Sequence, residues 1–283
     1  MTTIKGEQLE LNLSEGNLVV QDNMFVQGSY DMTSLQQKLL LIFISTIKKD
    51  DTRTHRTVFR VRDLADLMGI TPEPLYRDLQ KTCKSLIQKT VEVKQPNGDW
   101  EVFNIITYAK YKKKEGSILL EINERAEPYL LELKDLFTSF KLCNVLDLNS
   151  KHSIRIYQLS KSSLFKGEVS YTIEEFKKML KLTQKSYDRF NNITGKILNP
   201  SIEEINRKTD IYVEYKTLKQ GVKAVGIKFI IKPSNNKIIR LKKDSMIEPK
   251  PLRFNNFEPR PMYNDEVAMD KLEYKLLGWD KED

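Results

Sequence analysis

The 283-residue sequence has only two cysteines and two histidines. Cys83 and Cys143 lack metal-ligand spacing, and nothing around them points to an oxidising compartment. Cys83 falls on the apolar side of an expected helix, where a small buried residue is the default. With His55 and His152 alone, no His-x-His pair can hold the metal of a rolling-circle nickase. No Gly-x-x-x-x-Gly-Lys-Ser/Thr loop occurs, so ATPase or helicase chemistry has no phosphate cradle. No carboxylate cluster stands out as a metal site, and no cofactor is expected. The longest apolar run, residues 39–44, is far too short to cross a bilayer. The N-terminus lacks a signal-peptide core. A cytoplasmic setting without a membrane partner is expected.

What is abundant is positive charge, placed unevenly. The formal net charge is +8. From Asp244 onward ten acids face six bases, so the tail carries −4 and the preceding body +12. A solvated lysine-rich surface is the plain reading of such a body. A polyanion-binding core with a separate interaction tail is the other.

The sequence also repeats itself. Phe59, Val61, Leu64, Leu67, Met68, Ile70, Tyr76, Leu79, Leu86 and Ile87 match Tyr171, Ile173, Phe176, Met179, Leu180, Leu182, Tyr187, Phe190, Ile197 and Leu198 step for step. The second copy is one residue shorter between Leu182 and Tyr187. Such self-similarity signals two copies of one small unit. Each copy reads as helix, turn and second helix followed by hairpin sequence. The expected fold class is therefore α+β: two tandem winged-helix domains, each a helix-turn-helix plus a β-hairpin wing, with a flexible C-terminal tail.

Along the chain, residues 1–27 are expected as a loose arm. Residues 28–137 form the first winged helix and 138–233 the second. Thr33 and Gln36 fit a capping box ahead of a helix ending near Lys48. Thr71-Pro72 starts a helix running to about Gln88. Residues 90–94, 100–111 and 117–122 are expected as one three-stranded sheet, followed by a helix over 124–136. Ser150 opens the second copy. Its longer helix is expected over 185–198, with Pro200 beginning a further turn. Residues 211–215 and 225–231 alternate as a hairpin. Residues 234–283 hold a basic run, a proline-punctuated linker and a short amphipathic helix. Met269, Leu272, Leu276 and Trp279 line that helix, which packs on its own body or enters a partner groove.

A helix fits the major groove of B-DNA, where outward side chains reach base edges and flanking cations hold phosphates. In the first copy the outward set is Tyr76, Arg77, Gln80, Lys81, Lys84 and Gln88. Arg77 suits bidentate pairing with guanine. In the second it is Lys185, Ser186, Asp188, Arg189, Asn192 and Lys196. Asn192 suits adenine; Asp188 accepts from cytosine or holds a neighbouring cation. For any one of these positions a solvated helix face is the bland alternative. The wing tips offer Lys112, Lys113 and Lys114, then Lys216, Lys219 and Lys223, for salt-dependent phosphate contacts. An enzyme-like fragment, His152-Ser-Ile-Arg155, fits the His-x-x-Arg box of tyrosine recombinases. The first arginine box of that family is missing.

Residues 18–233 resemble the iteron-binding replication initiators of theta-replicating plasmids, a family built from two winged-helix domains. The likeness is carried by Val19-Val20-Gln21-Asp22-Asn23, by residues 33–47 with Gln37-Lys38-Leu39-Leu40, and by residues 150–159 with Ser153-Ile154-Arg155-Ile156-Tyr157. It continues through Tyr187-x-x-Phe190, Leu198-x-Pro200-x-Ile202-x-x-Ile205, Thr209-Asp210 and Gly226-Ile227-Lys228-Phe229. The resemblance implies binding to direct repeats in double-stranded DNA as a monomer, opening of an adjacent AT-rich duplex, and recruitment of the host initiator ATPase and replicative helicase. It also implies a homodimer through the first domain, acting in autorepression and copy control. Neither nucleotide hydrolysis nor DNA cleavage is implied, and Arg155 becomes a structural or phosphate-side residue. In the family the second-domain recognition helix is usually the main base reader, yet this chain has more cations in the first. The alternatives are a winged-helix transcriptional regulator without an initiator role, and a DNA-cleaving recombinase or nickase.

Overall fold

The structure is a computed structural model in which residues 13–48, 51, 56–95, 97–131, 133 and 136–234 are described. The C-terminal linker and the helix expected at Met269, Leu272, Leu276 and Trp279 lie outside the described residues. Strand β1 (Leu18–Asp22) and helix α1 (Asn23–Gln27) occupy the end of the stretch expected as a loose arm. β1 buries Val19 and Gln21, and the Asp22 carboxylate caps α1 by accepting the Met24 N–H at 2.6 Å. Helix α2 (Ser34–Ile44) opens on the expected capping box between Thr33 and Gln36. Every residue from Leu39 to Ile44 is buried. A helix apolar all round is a core helix, and α2 is that helix for the first copy.

The first copy continues with β2 (Thr57–Arg60), α3 (Val61–Met68), α4 (Pro72–Ile87), β3 (Thr90–Lys94), β4 (Trp100–Asn104), β5 (Ile106–Lys112) and β6 (Ser117–Ile122). The expected single sheet over 90–122 is corrected here. The chain breaks at Ile105, which is fully buried, while Asn123 binds the Asn104 and Ile105 carbonyls. β3 and β4 form a separate two-stranded ladder, and the three-stranded sheet has the order β2-β6-β5. The helix expected over 124–136 is only a 3-10 turn, Glu124–Tyr129, with Pro128 inside it. A proline supplies no N–H and crowds the preceding turn, which shortens a helix. The chain then runs into β7 (Phe137–Lys141), the antiparallel partner of β1, and α5 (Cys143–Leu146).

The second copy holds α6 (Lys151–Lys161), β8 (Glu168–Thr172), α7 (Ile173–Met179), a 3-10 turn (Lys185–Asp188), α8 (Phe190–Ile193), a π-helical turn (Thr194–Leu198), α9 (Asn199–Lys208), β9 (Ile211–Gln220) and β10 (Lys223–Pro233). Its sheet has the order β8-β10-β9. In both copies the strand before the helix-turn-helix pairs with the last strand of the hairpin. The winged-helix topology is thus present twice. The second helix of this copy departs from expectation. It starts at Phe190 instead of Lys185 and continues past Pro200 to Lys208. The Asn199 N–H reaches back to the Thr194 carbonyl, five residues earlier. This wide turn sits just where the Pro200 ring would crowd a regular α-helix.

α6 ties the copies together. Residues 153–160 are all buried, and Ser150 caps the helix as expected. Arg155 Nη2 donates to the Gly28 carbonyl and Nη1 to the Tyr30 hydroxyl, both at 2.7 Å. Gln158 Nε2 donates to Gln21 Oε1 at 3.2 Å. Gln37 donates to the Lys151 carbonyl at 3.1 Å, and Glu92 on β3 pairs with Lys178 at 2.5 Å. The Ser29 hydroxyl adds a bond to the Lys178 carbonyl.

The turn after α3 is closed by Gly69 at φ +65°; at the matching repeat position Lys181 has φ 50°. A side chain in the left-handed region costs about 1 kcal/mol. The Lys181–Glu92 contact is long, at 3.7 Å, and partly exposed ion pairs contribute little. Lys181→Gly is therefore expected to raise stability by about 0.5–1 kcal/mol in urea denaturation. Glu204 on α9 accepts the Asn149 N–H and the Lys208 ammonium, both at 2.8 Å, at the start of α6. Burial opposes its charge, but these bonds outweigh it and hold the carboxyl below its ordinary value. A depressed carboxyl stabilises above its unfolded pKa and loses that contribution as pH falls through the folded value. Glu204→Gln is expected to lower stability at pH 7, with the difference from the parent protein shrinking as pH falls below the ordinary glutamate value of about 4.3 and through the lower folded one.

Candidate nucleic-acid interface

In the first copy the turn between α3 and α4 is set by Gly69, whose N–H reaches the Asp66 carbonyl at 3.1 Å. Pro72 stands at the first helical position, where a missing N–H costs nothing. Thr71 gives no side-chain cap. Leu75, Leu79, Cys83 and Leu86 are buried, and this stripe fixes the rotation of α4. Burial pushes the Cys83 thiol up to about 12, which keeps it protonated and unreactive.

With that stripe inward, Tyr76, Arg77, Gln80, Lys81, Lys84 and Gln88 are all exposed. Arg77 is 75% exposed and pairs with Asp78 at 3.1 Å, Nε to Oδ1. The hydrogen bond from Arg77 holds Asp78 below the usual carboxylate range. An exposed pair of this kind is weak, so the guanidinium is free to exchange partners. Tyr76 turns along the helix toward the wing. A methyl group added at Gly116 would lie 3.0 Å from its hydroxyl, so Tyr76 braces the turn between β5 and β6. At that turn Lys112 pairs with Glu115 at 2.9 Å, while Lys113 and Lys114 are exposed.

The second copy places its expected residues differently. Lys185 is exposed and Ser186 half-buried, in the 3-10 turn that precedes the helix. Asn192 is not an outward reader, because its amide donates to the Ser186 carbonyl at 2.6 Å and holds that turn against α8. Of the two roles open to Asp188, the structure has it on a cation, Lys177, at 2.7 Å. Arg189 and Lys196 are exposed. The inward stripe of this helix is Ile193, Ile197, Ser201 and Ile205. Opposite it lie Asn191, Gly195 and Asn199, all exposed and absent from the sequence-based set. Asn199 Oδ1 accepts the Tyr215 hydroxyl at 2.8 Å. The spacing of four from Ile193 to Ile205 carries the signal for this face. It is legible only once Pro200 is allowed inside a helix.

The second wing is longer than the first. Lys223 stands across from Gln220 and Lys219 from Ala224. Strand alternation then puts Lys216 and Lys223 on one face of the hairpin and Lys219 on the other. Gly221, at φ +61°, makes the turn, and Val222 at the tip is fully exposed.

Arg155 is 2% exposed and held by Gly28 and Tyr30, so it does not face a phosphate outside the protein. Burial pushes the His152 pKa down to about 4, leaving it neutral at pH 7. Arg155 is a core residue of α6 and His152 is half-buried at its start, so the recombinase reading loses its arginine. Among the described residues no group of three or more His, Cys, Asp or Glu has metal-site geometry. No helix among them is long and apolar enough to cross a membrane.

Comparison with known proteins matches residues 18–161 to the family described as Initiator Replication protein, WH1, and residues 172–231 to Initiator Rep protein, WH2. A "Replication initiation protein" of Escherichia coli is 30% identical over 199 residues, 67% of this chain and 62% of that protein. The chain thus spans about three-fifths of that relative's length. The "PI protein" of Escherichia coli is 29% identical over 229 residues, 68% of this chain and 75% of the relative. A solved structure of the Pi initiator protein in complex with iteron DNA superposes with a TM-score of 0.65. It is 22% identical, over 79% of this chain and all of the other, so the likeness is one of fold.

Proposed function

From a chain that belongs to the initiator replication protein family, we propose a plasmid replication initiator that binds directly repeated DNA sites at an origin. The observation that carries this reading is the doubled winged helix, in which both second helices leave a polar face open to solvent. A helix of this width enters the major groove with its outward residues on base edges. Two such helices in one chain read neighbouring major grooves of one duplex and gain from their linkage. In the first domain Arg77, Lys81 and Lys84 face the groove. In the second, Arg189, Asn191, Lys196 and Asn199 do so. Lys113, Lys114, Lys216, Lys219 and Lys223 supply phosphate contacts from the wings.

Initiation beyond binding follows the family pattern. The bound protein strains the adjacent AT-rich duplex and recruits the host initiator ATPase and replicative helicase. A homodimer through the first domain represses the chain's own promoter and limits copy number. None of these steps asks for covalent chemistry from the protein, which acts as a DNA-binding assembly factor. The competing reading is a regulator that uses the same two domains.

Footprinting on the DNA that flanks the chain's own gene separates the two. Protection of regularly spaced direct repeats beside an AT-rich stretch supports the initiator. Protection of only an inverted repeat at a promoter favours the regulator, and no protection at moderate salt removes DNA binding altogether. On repeat DNA, Arg77→Ala is expected to weaken binding by about 1–3 kcal/mol, measured by fluorescence anisotropy. An unchanged affinity takes Arg77 out of the base-reading set. Replacing Lys113 and Lys114 by alanine is expected to reduce the slope of log affinity against log salt by about 1 for each phosphate that the wing no longer neutralises. An identical slope means that this wing tip does not touch DNA.

A further inference from the structure

Gly195 stands in the middle of the continuous helical stretch from Phe190 to Lys208. Glycine there is disfavoured, since alanine would shift the folding equilibrium toward the native state by about fivefold. The usual reasons for keeping a glycine are visible elsewhere in this chain. Gly69, Gly98, Gly116, Gly167 and Gly221 have positive φ. A methyl group on Gly28 would meet Phe25 and Val91 at 2.9 Å, and one on Gly226 would meet Tyr171 at 2.8 Å. None of these reasons holds at Gly195. It has no positive φ, it is exposed, and an added methyl group would find nothing within 4 Å. It is also far from the helix end at Lys208, so it is not a cap.

Its surroundings point outward. Asn191 and Asn199 lie four residues to either side on the same exposed face, and Lys196 is adjacent. The π-helical turn at Thr194–Leu198 includes this residue, and such turns gather at functional sites. The internal repeat sets Gly195 against Lys84, one of the outward cations of α4. A bare backbone between two amides therefore occupies a position that the first domain fills with a long side chain.

We propose that Gly195 is the point at which the second recognition helix comes closest to the floor of the major groove, and that its missing side chain sets which base step is accepted there. This rests on the proposed DNA-binding function. With no Cβ in the way, the helix backbone sits deep enough for Asn191 on one side, and the amide N–H groups of Asn199 on the other, to reach base edges, the Asn199 Oδ1 being held by the Tyr215 hydroxyl. A methyl group at 195 lifts the helix and loosens both contacts, although it costs the free protein nothing.

The test uses the full-length chain with Gly195→Ala. Thermal and urea denaturation report on the free protein, and anisotropy reports binding to a repeat duplex and to a scrambled duplex. The expected result has opposite signs: a higher denaturation midpoint, at least tenfold weaker binding to the repeat, and unchanged binding to the scrambled duplex. Affinity for the repeat equal to that of the parent protein overturns the inference. So does a lowered midpoint, which makes the glycine a structural need, and so does an equal loss on both duplexes, which moves Gly195 to the phosphates. A parent protein that fails to prefer the repeat duplex overturns the DNA-reading function itself and this inference with it. The comparison of parent and variant on the same DNA keeps the two failures apart.

Discussion

The structure hangs on Arg155. Its guanidinium is buried in α6 and, among the described residues, is paired with no carboxylate. It donates instead to the Gly28 carbonyl, the Tyr30 hydroxyl and, at 3.3 Å, Gln158 Oε1, while its buried Nε has no hydrogen-bond partner among the described residues, and it lies 4.0 Å from the Tyr30 ring centroid. A buried cation is expensive unless its donors are met in good geometry. The segment from Gly28 to Tyr30 must therefore stay on α6, and with it the start of the first domain stays on the second. Gln158 joins the same network through Tyr30 and Gln21. A helix whose residues 153–160 are all buried needs this polar set, since apolar packing alone would leave its orientation less defined.

From this anchor the two domains diverge in a way that fits separate tasks. The first carries an additional ladder, β3 with β4, between recognition helix and wing. Its Glu92 reaches Lys178 at the end of α7, so the insertion bridges to the second domain. The first recognition helix is a regular sixteen-residue α-helix rich in cations. The second begins late, widens into a π-helical turn and continues through a proline. Its exposed face is amide and glycine more than lysine. Cations act mainly on phosphates, and amides on base edges. The proposed division has the first domain supplying more of the affinity and the second more of the selection.

Much of the fold was legible in the sequence because it rests on local periodicity. Helix α4 and its buried stripe, the caps at Thr33 and Ser150, and the matched apolar spacings of the two copies all follow from residues near one another in the chain. Two misreadings share a cause, strand pairing across a long stretch of chain, and a third is local. β1 looked like part of a polar arm because its partner, β7, lies more than a hundred residues on. The sheet over 90–122 was misassigned because β6 pairs with β2 across α3 and α4. Pro200 read as a helix start because the wide turn that tolerates it leaves no mark in composition.

Two helix-turn-helix units, the helix in each that has an open face, and a cationic body can all be read from the order of the amino acids. These properties depend on side-chain spacing and on charge, which sequence states directly. Which side chains on that face are free becomes visible in the folded chain. Asn192 and Asp188 have the right chemistry for base edges, yet Asn192 is bound to Ser186 and Asp188 to Lys177. Asn191 and Gly195 take open positions, and Asn199 is exposed beside them with its Oδ1 engaged by the Tyr215 hydroxyl. A hydrogen-bonding group is claimed by whichever partner the folded chain brings within reach, here Ser186 and Lys177, six and eleven residues away, and the spacing of residue types does not state which partner that is.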